Sequence, residues 1–359
     1  MSTFIPFLDG DTVDSIERVF ASAWTNNTND LAANHHSSSI QFTTSSATSS
    51  GNFFMEIFNE KPDGSTTAEV QYSIAFGHRK GSGSLNFTNA EGSNGFSAAK
   101  AIYTQYRNLV YGGDETQNFS FDGHTPEHIY VINVNRARYK NALRMGNLAL
   151  QLGSGSLGSA GRTLHLTDDS VTTSGSANAI RPGVGREFNL VSGSDGIRLG
   201  TSNTYVTNSG SYGFVYPDAG FIILNGDALD ATHVNQGIGL DSNLASNDNV
   251  PATKDHNVSL LRDALEKGGK FVLDSQEDIA SKFYFIRAKN QEFNYTTNDS
   301  FTENDGTLKY DSMIDNPQTY ITTVGMYNDM NELVAVAKMS RPLLKDFTKE
   351  ALIRVKLDF

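Results

Sequence analysis

The chain contains no cysteine, so its chemistry excludes disulfides, thiolate metal ligands, cysteine nucleophiles and redox pairs. Histidines, carboxylates, hydroxyls and glycine turns remain. Of the 8 histidines, His124 and His128 are four apart, the spacing that would set two imidazoles on one helical face around a metal. Pro126 between them opposes a helix, and Glu127 is not where HExxH needs its glutamate. The segment therefore reads as a turn entering a strand at Ile129. Neither Asp9, Asp11 and Asp14 nor Asp241 and Asp248 keeps the spacing of a calcium loop, and surface acidity accounts for them. No metal site and no cofactor are expected.

Gly153–Gly158, GSGSLG, fits the GxGxxG of a dinucleotide-binding turn. That pattern acts where a strand precedes it and a helix follows, so that the helix N-terminus meets the pyrophosphate. Here RTLHL follows, which reads as a second strand, and a hairpin loop is the simpler account. The chain has no Walker pattern, and GSGSLN around Ser82 and Ser84 misses the second glycine of GxSxG. Glu115, Glu127, Glu187 and Glu292 lie near aromatic residues; two carboxylates facing each other would suit glycoside hydrolysis, but spacing singles none out. The single tryptophan, Trp24, leaves little for sugar stacking, so a glycan platform would fall to Tyr205, Tyr212 and Tyr216, set against strand tyrosines packed over a sheet. No catalytic residue is assigned. The one basic cluster, Arg136, Arg138, Lys140 and Arg144, is a candidate docking site for an acidic neighbour, set against a salt-bridged structural patch.

The elements that must carry these residues follow from apolar periodicity. Asp11–Trp24 spaces Val13, Ile16, Val19, Phe20, Ala23 and Trp24 as one helical stripe, which predicts a short amphipathic helix. Ile40 and Phe42, then Phe53, Met55 and Ile57, alternate as two strands, and Val70–Phe76 as another. Ser97–Val110 predicts a helix stopped by Gly112 and Gly113. His128–Asn135 sets Ile129 and Val131 opposite Tyr130, Ile132 and Val134, a strand covered on both faces, and RARYKNAL after it suggests a turn of helix. Between Asn147 and Asp230 short apolar runs alternate with Gly/Ser turns, which predicts a small inserted all-β domain, a sandwich or barrel. Val258–Lys267 returns to helix. Strands close the chain at Phe283–Ala288, Tyr320–Tyr327, Leu333–Met339 and Leu352–Phe359. In the last, Ile353, Val355, Leu357 and Phe359 share one face and are candidate interface residues, since a terminal strand pairs within its domain or offers an edge to a neighbour.

Composition bounds the class. The 359 residues are 38% hydrophobic and include 22 Phe and 14 Tyr, enough for a folded core. Charged residues make up only 19%, with a net charge of −12, which argues against a nucleic-acid-binding surface. Uncharged Ser, Thr, Asn and Gly must supply the polar surface, and these favour turns and strands over helices. The opening MSTFIPFLDG has no basic or apolar leader and no run of about 18 apolar residues follows, so folding in a cytoplasm without membrane insertion is expected. The expected fold is α+β and predominantly β: residues 1–146 and 231–359 form a discontinuous core domain around an inserted all-β domain at 147–230.

Three stretches carry a resemblance: KAIYTQYRNLV with IYVINVNRARYKNAL, then PDAGFIILN, then NPQTYITTVGMYNDMNELVAVAKMSRPLLKDFTKEALIRVKLDF. From Lys100 onward, and most specifically over Asn316–Phe359, the chain resembles virion structural proteins of large contractile-tailed phages, especially those infecting marine cyanobacteria. The resemblance implies a component of the particle, in the tail or baseplate, that is made in the host bacterial cytoplasm and acts without catalysis. Its implied partners are other phage structural proteins and copies of itself. Two alternatives stay open: a host-recognition or glycan-binding tail module, and a neck or capsid-associated decoration protein. A tail-associated hydrolase is a further rival. A cysteine-free acidic β protein suits a particle subunit, because disulfides do not form before lysis.

Overall fold

The structure is a computed structural model that describes residues 5–25, 36–42, 51–62, 64–81, 98–154, 163–199, 211–232, 236–242, 244, 256–294 and 300–359. In chain order its strands are β1 (Thr12–Ser22), β2 (His36–Phe42), β3 (Gly51–Phe58), β4 (Val70–His78), β5 (His128–Val134), β6 (Ala142–Leu143), β7 (Ala149–Gly153), β8 (Thr163–Asp168) and β9 (Ala179–Arg181). There follow β10 (Gly185–Ser194), β11 (Ile197–Arg198), β12 (Gly213–Tyr216), β13 (Phe221–Asn225), β14 (Phe271–Val272), β15 (Asp274–Ala288), β16 (Thr319–Tyr327), β17 (Leu333–Lys345) and β18 (Ala351–Asp358). The helices are α1 (Ala98–Tyr111), α2 (Gly226–Asp230), α3 (His256–Gly268) and α4 (Ser312–Asp315). The fold is α+β and mainly β, as the composition predicts. Among the described residues no helix is long and apolar enough to cross a membrane.

Two compact units divide the chain: residues 1–18 with 278–359, and residues 19–277. The larger unit is built on an antiparallel sheet in the order β14-β7-β8-β10-β12-β13-β5-β4-β3-β2, with β9 and β11 added to β10. Strand β5 explains why this sheet is covered on both sides. Alternation sends Tyr130, Ile132 and Val134 to one face, where they join a core containing Tyr72, Ile74, Leu150, Leu190, Ile222 and the α3 residues Leu261 and Leu265. The opposite face takes Ile129 and Val131 into a second core with Phe119, Phe121, Phe214, Phe221 and the α1 residues Tyr103 and Val110. Helix α1 stops where predicted, at Gly112 and Gly113, whose φ of 70° and 85° lie in the left-handed region that glycine enters without a Cβ clash.

The inserted domain expected at 147–230 is not a separate body. Strand β13 pairs with β5 from Phe221↔Asn133 to Asn225↔Ile129, and β7 pairs with β14, so both ends of that region are joined to the surrounding sheet. Within that region β7 pairs with β8, β8 with β10, β10 with β12 and β12 with β13, all antiparallel. The hydrogen bonds that merge the hairpins into one sheet are long-range, so turn spacing does not reveal them.

The smaller unit holds two sheets. In one, β15 lies between β1 and β18, with β15 and β18 in unbroken antiparallel register from Ser281↔Asp358 to Ala288↔Ala351. The other is the β16–β17 hairpin. The helix expected over Asp11–Trp24 is instead β1, and the Asp11 carbonyl accepts from the Phe285 N–H at 2.8 Å. Thr12, Val13, Ile16 and Val19 are β-branched and lose χ1 freedom in a helix, so backbone pairing with β15 prevails over the helical stripe. Of that stripe only Ala23 and Trp24, beyond the strand, are buried; the Trp24 indole N–H donates to the Phe271 carbonyl at 2.8 Å.

Candidate functional site

The basic cluster follows β5, where Asn135 caps a single 3-10 turn over Arg136–Arg138 by accepting from the Ala137 N–H at 3.0 Å. Its side chains are largely engaged by their own chain. Arg136 donates to the Tyr139 carbonyl at 2.6 Å and lies over the Tyr139 ring at 4.6 Å. Arg138 pairs with Glu69 at 2.8 Å and also meets Thr25. Bonds from the Thr25 hydroxyl, and then the charge of Arg138, hold the Glu69 carboxyl below the usual range. Arg144 pairs with Asp274 at 3.1 Å and lies over the Phe20 ring at 4.2 Å. Arg136 and Lys140 are exposed. Arg138 and Arg144 thus form structural ion pairs, which leaves a narrower cationic surface than the four-residue spacing implies.

The glycan platform is corrected outright for two of its three members. Tyr212 and Tyr216 are fully buried; their hydroxyls donate to the Gln236 carbonyl at 3.0 Å and to Glu187 Oε2 at 2.9 Å. A residue on the covered face of a core strand cannot stack on a sugar. Tyr205 lies outside the described residues. Glu187 is itself fully buried. It accepts from Arg181 Nε at 2.8 Å, Arg181 Nη2 at 3.1 Å and Asn178 Nδ2 at 2.9 Å in addition to Tyr216. Arg181 in turn lies over the Tyr111 ring at 4.9 Å. A carboxylate filled in this way is a structural ion pair, with no oxygen left to act on a substrate. Glu127 pairs with Lys80 and Arg79, and Glu292 accepts from the Lys289 N–H.

His124 and His128 both reach Asp227, in the turn-then-strand arrangement expected of them, and their partners come from α2, about a hundred residues away. His124 Nε2 is 2.7 Å from Asp227 Oδ2. The buried His128 ring lies between Asp227, 3.4 Å from Nδ1, and Asp230, 3.0 Å from Nε2. Asp230 also accepts from the Ser242 hydroxyl at 2.6 Å, and that hydroxyl is 2.7 Å from the Tyr130 hydroxyl. His78 stacks on His128 with centroids 6.4 Å apart. Burial, reinforced by His128, lowers the His78 pKa to about 4. Gly226 makes room for this packing, because a Cβ there would sit 2.1 Å from His128 Cδ2. Among the described residues no group of three or more histidines and carboxylates is arranged to hold a metal ion. The network ties α2 and the Gln236–Ser242 segment to β5.

For GSGSLG, β7 ends at Gly153, which pairs with Thr163 of the antiparallel β8. Residues 155–162 lie outside the described residues. The glycine motif therefore sits between two hairpin strands, without the strand-to-helix context a pyrophosphate needs.

The smaller unit carries the most unusual surface. Its buried hydrophobic residues, among those described, are Ala288, Met326, Ala351 and Val355. On the β16–β17 hairpin Tyr320, Tyr327, Met330, Leu333, Val334 and Val336 are all exposed. So are Val13 and Ile16 of β1, and Leu352 and Phe359 at the β18 end. The predicted interface stripe divides. Val355 is buried and Ile353 and Leu357 are half-buried, facing the side of the sheet where Phe7 meets Tyr284 at 5.3 Å between ring centroids. Only Phe359 of the four is open to solvent. The exposed face of β18 is the other one, with Leu352, Arg354, Lys356 and Asp358; Arg354 and Lys356 lie over the Phe283 ring at 5.5 and 5.9 Å. Alternation found the two faces, but not which one packs inward. No protein-family model, no curated protein and no solved structure matches this chain.

Proposed function

We propose that the chain is a structural subunit of a bacteriophage virion, in its tail or baseplate, working through protein–protein interfaces rather than catalysis. The observation that carries the reading is the smaller unit: long strands bearing exposed apolar side chains on sheets with hardly any core of their own. Soluble monomers keep contiguous apolar patches small, and larger ones mark interaction surfaces. A two-stranded hairpin is marginal in water without a covering layer, so neighbouring subunits would complete this unit. The resemblance over Asn316–Phe359 falls on the same strands. The buried Tyr212 and Tyr216, and the saturated Glu187, favour neither a glycan-binding nor a hydrolytic reading.

The test is to quantify this chain by mass spectrometry in purified particles, made with the full chain and with Ile353–Phe359 deleted. The expected result is a fixed copy number in the complete particle and its loss, with failed assembly, in the truncation. Complete infectious particles at normal copy number without those residues would overturn an assembly role for β18.

A further inference from the structure

The two sheets of the smaller unit treat their edges differently. The β16–β17 hairpin carries Pro342 within β17 and two register shifts, between Ile321 and Thr323 and between Met326 and Tyr327. Proline and bulges are the devices by which edge strands resist pairing with another chain. In the β1-β15-β18 sheet, β1 and β18 contain no proline or glycine, and the β15–β18 register runs without a shift. Both outer strands are long, and among the described residues neither pairs on its outer side. Each is a template for a further strand.

Charge separates the two edges. Strand β1 and its approach carry Asp9, Asp11, Asp14 and Glu17 against Arg18, whereas β18 carries Arg354 and Lys356 against Asp358. Pairing β1 with a second β1, or β18 with a second β18, would set like charges beside each other, which is unfavourable across strands. Pairing β1 of one copy with β18 of the next sets acid beside base. Within one copy Lys356 reaches Glu17 at 3.1 Å and Lys282 reaches Asp14 at 3.6 Å. These pairs are exposed, contribute little and can exchange partners.

From this we infer that the chain self-associates head to tail, the β18 edge of one copy adding to the β1 edge of another and continuing the sheet from subunit to subunit. The occupant of each edge is a second copy of this chain. Such a contact is heterologous and closes into a ring or runs on as a filament. It would place Ile16, Leu352 and Phe359, 67%, 62% and 76% exposed, at or beside the junction. The inference rests on the structural-subunit reading and gives it a geometry.

The experiment uses the purified full chain and sedimentation velocity over a concentration series. Wild type is expected to associate reversibly. Asp14→Lys with Glu17→Lys makes both edges basic, and Arg354→Glu with Lys356→Glu makes both acidic; each double variant is expected to associate roughly tenfold or more weakly. Mixed in equal amounts the two should associate again, close to wild type, because each supplies the edge the other lacks. If either reversal unfolds the chain, as judged by circular dichroism, Asp14→Asn with Glu17→Gln and Arg354→Gln with Lys356→Gln replace it, with a smaller loss expected. A wild type that stays monomeric, reversals that leave association unchanged, or a mixture no stronger than its components would overturn the inference. A monomeric chain that is nonetheless found in particles overturns only the head-to-tail pairing. A self-associating chain missing from particles overturns only the virion assignment.

Discussion

The two units are built from the same material, antiparallel strands, and differ in what those strands lean on. In residues 19–277 nearly every strand contributes to one of two apolar cores, and buried polar groups are mostly partnered, Glu187 by Arg181, Asn178 and Tyr216 and His128 Nε2 by Asp230, whereas His128 Nδ1 makes no hydrogen bond. In residues 1–18 and 278–359 the strands are as long or longer, yet few side chains are covered. Order there rests on backbone ladders, exposed cross-strand ion pairs and one buried ammonium, Lys345, which donates to the carbonyls of Asn290 and Asp346 and to Asn294 Oδ1 at 2.9–3.0 Å. Strand content alone therefore says little about whether a region is self-sufficient. Hydrogen bonds formed in water contribute modestly, and apolar burial decides which unit can stand without neighbours.

The contrast can be broken from either side. The largest effect expected in the larger unit is from Glu187→Ala, which leaves the buried Tyr216 hydroxyl and the half-buried Arg181 without their acceptor and should cost about 3 kcal/mol, read as a fall in the urea midpoint. A cost below about 1 kcal/mol would mean that this core tolerates unpaired charge. Acid should act next. Because the folded His78 titrates near 4 and the unfolded one near 6.5, the unfolded chain binds the extra proton between those values. The stability is full above pH 6.5 and is lost progressively as pH falls to 4, by up to about 3 kcal/mol from this group. Replacing His78 with Phe should flatten that part of the pH–stability curve, and an unchanged slope would assign it elsewhere.

In the smaller unit Lys345→Met should cost roughly 2–3 kcal/mol, since three acceptors lose their donor. Hydrogen exchange of the β17 amides reports this separately from the larger unit. The smallest effect is expected where the apolar side chains are most exposed: Val334→Ser and Val336→Ser should each change the stability of the isolated chain by less than about 0.5 kcal/mol. A loss of about 1.5 kcal/mol or more would show that this hairpin is already packed within one chain.

Much of this was readable in the residues, and the failures have a common cause. Helices α1 and α3, the two-sided β5 and the closing strands follow from local periodicity. Strand β1 is ambiguous in sequence because Val13, Ile16, Val19 and Phe20 satisfy a helical stripe as well as a strand, and only β15, some 260 residues later, decides between them. The 147–230 region looked separate because the β5–β13 pairing joins residues about ninety apart in sequence. Tyr212 and Tyr216 are indistinguishable by type from binding-site tyrosines, and their burial comes from neighbouring strands. The Asp227 and Asp230 partners of the histidines lie 103 and 102 residues away. The nearest available signal was the GDALD segment, two acids three apart beside a glycine.

The placement of β1 and β15 in one unit also sets a timetable. The ribosome releases residues 12–18 about 260 residues before the partner strand that pairs with them. At about 5–20 residues per second, β1 waits roughly ten to fifty seconds with its backbone unpaired by β15. During that interval the whole of 19–277 can emerge and fold. The sheet that holds β1 is thus assembled only after the residues of the larger unit have emerged.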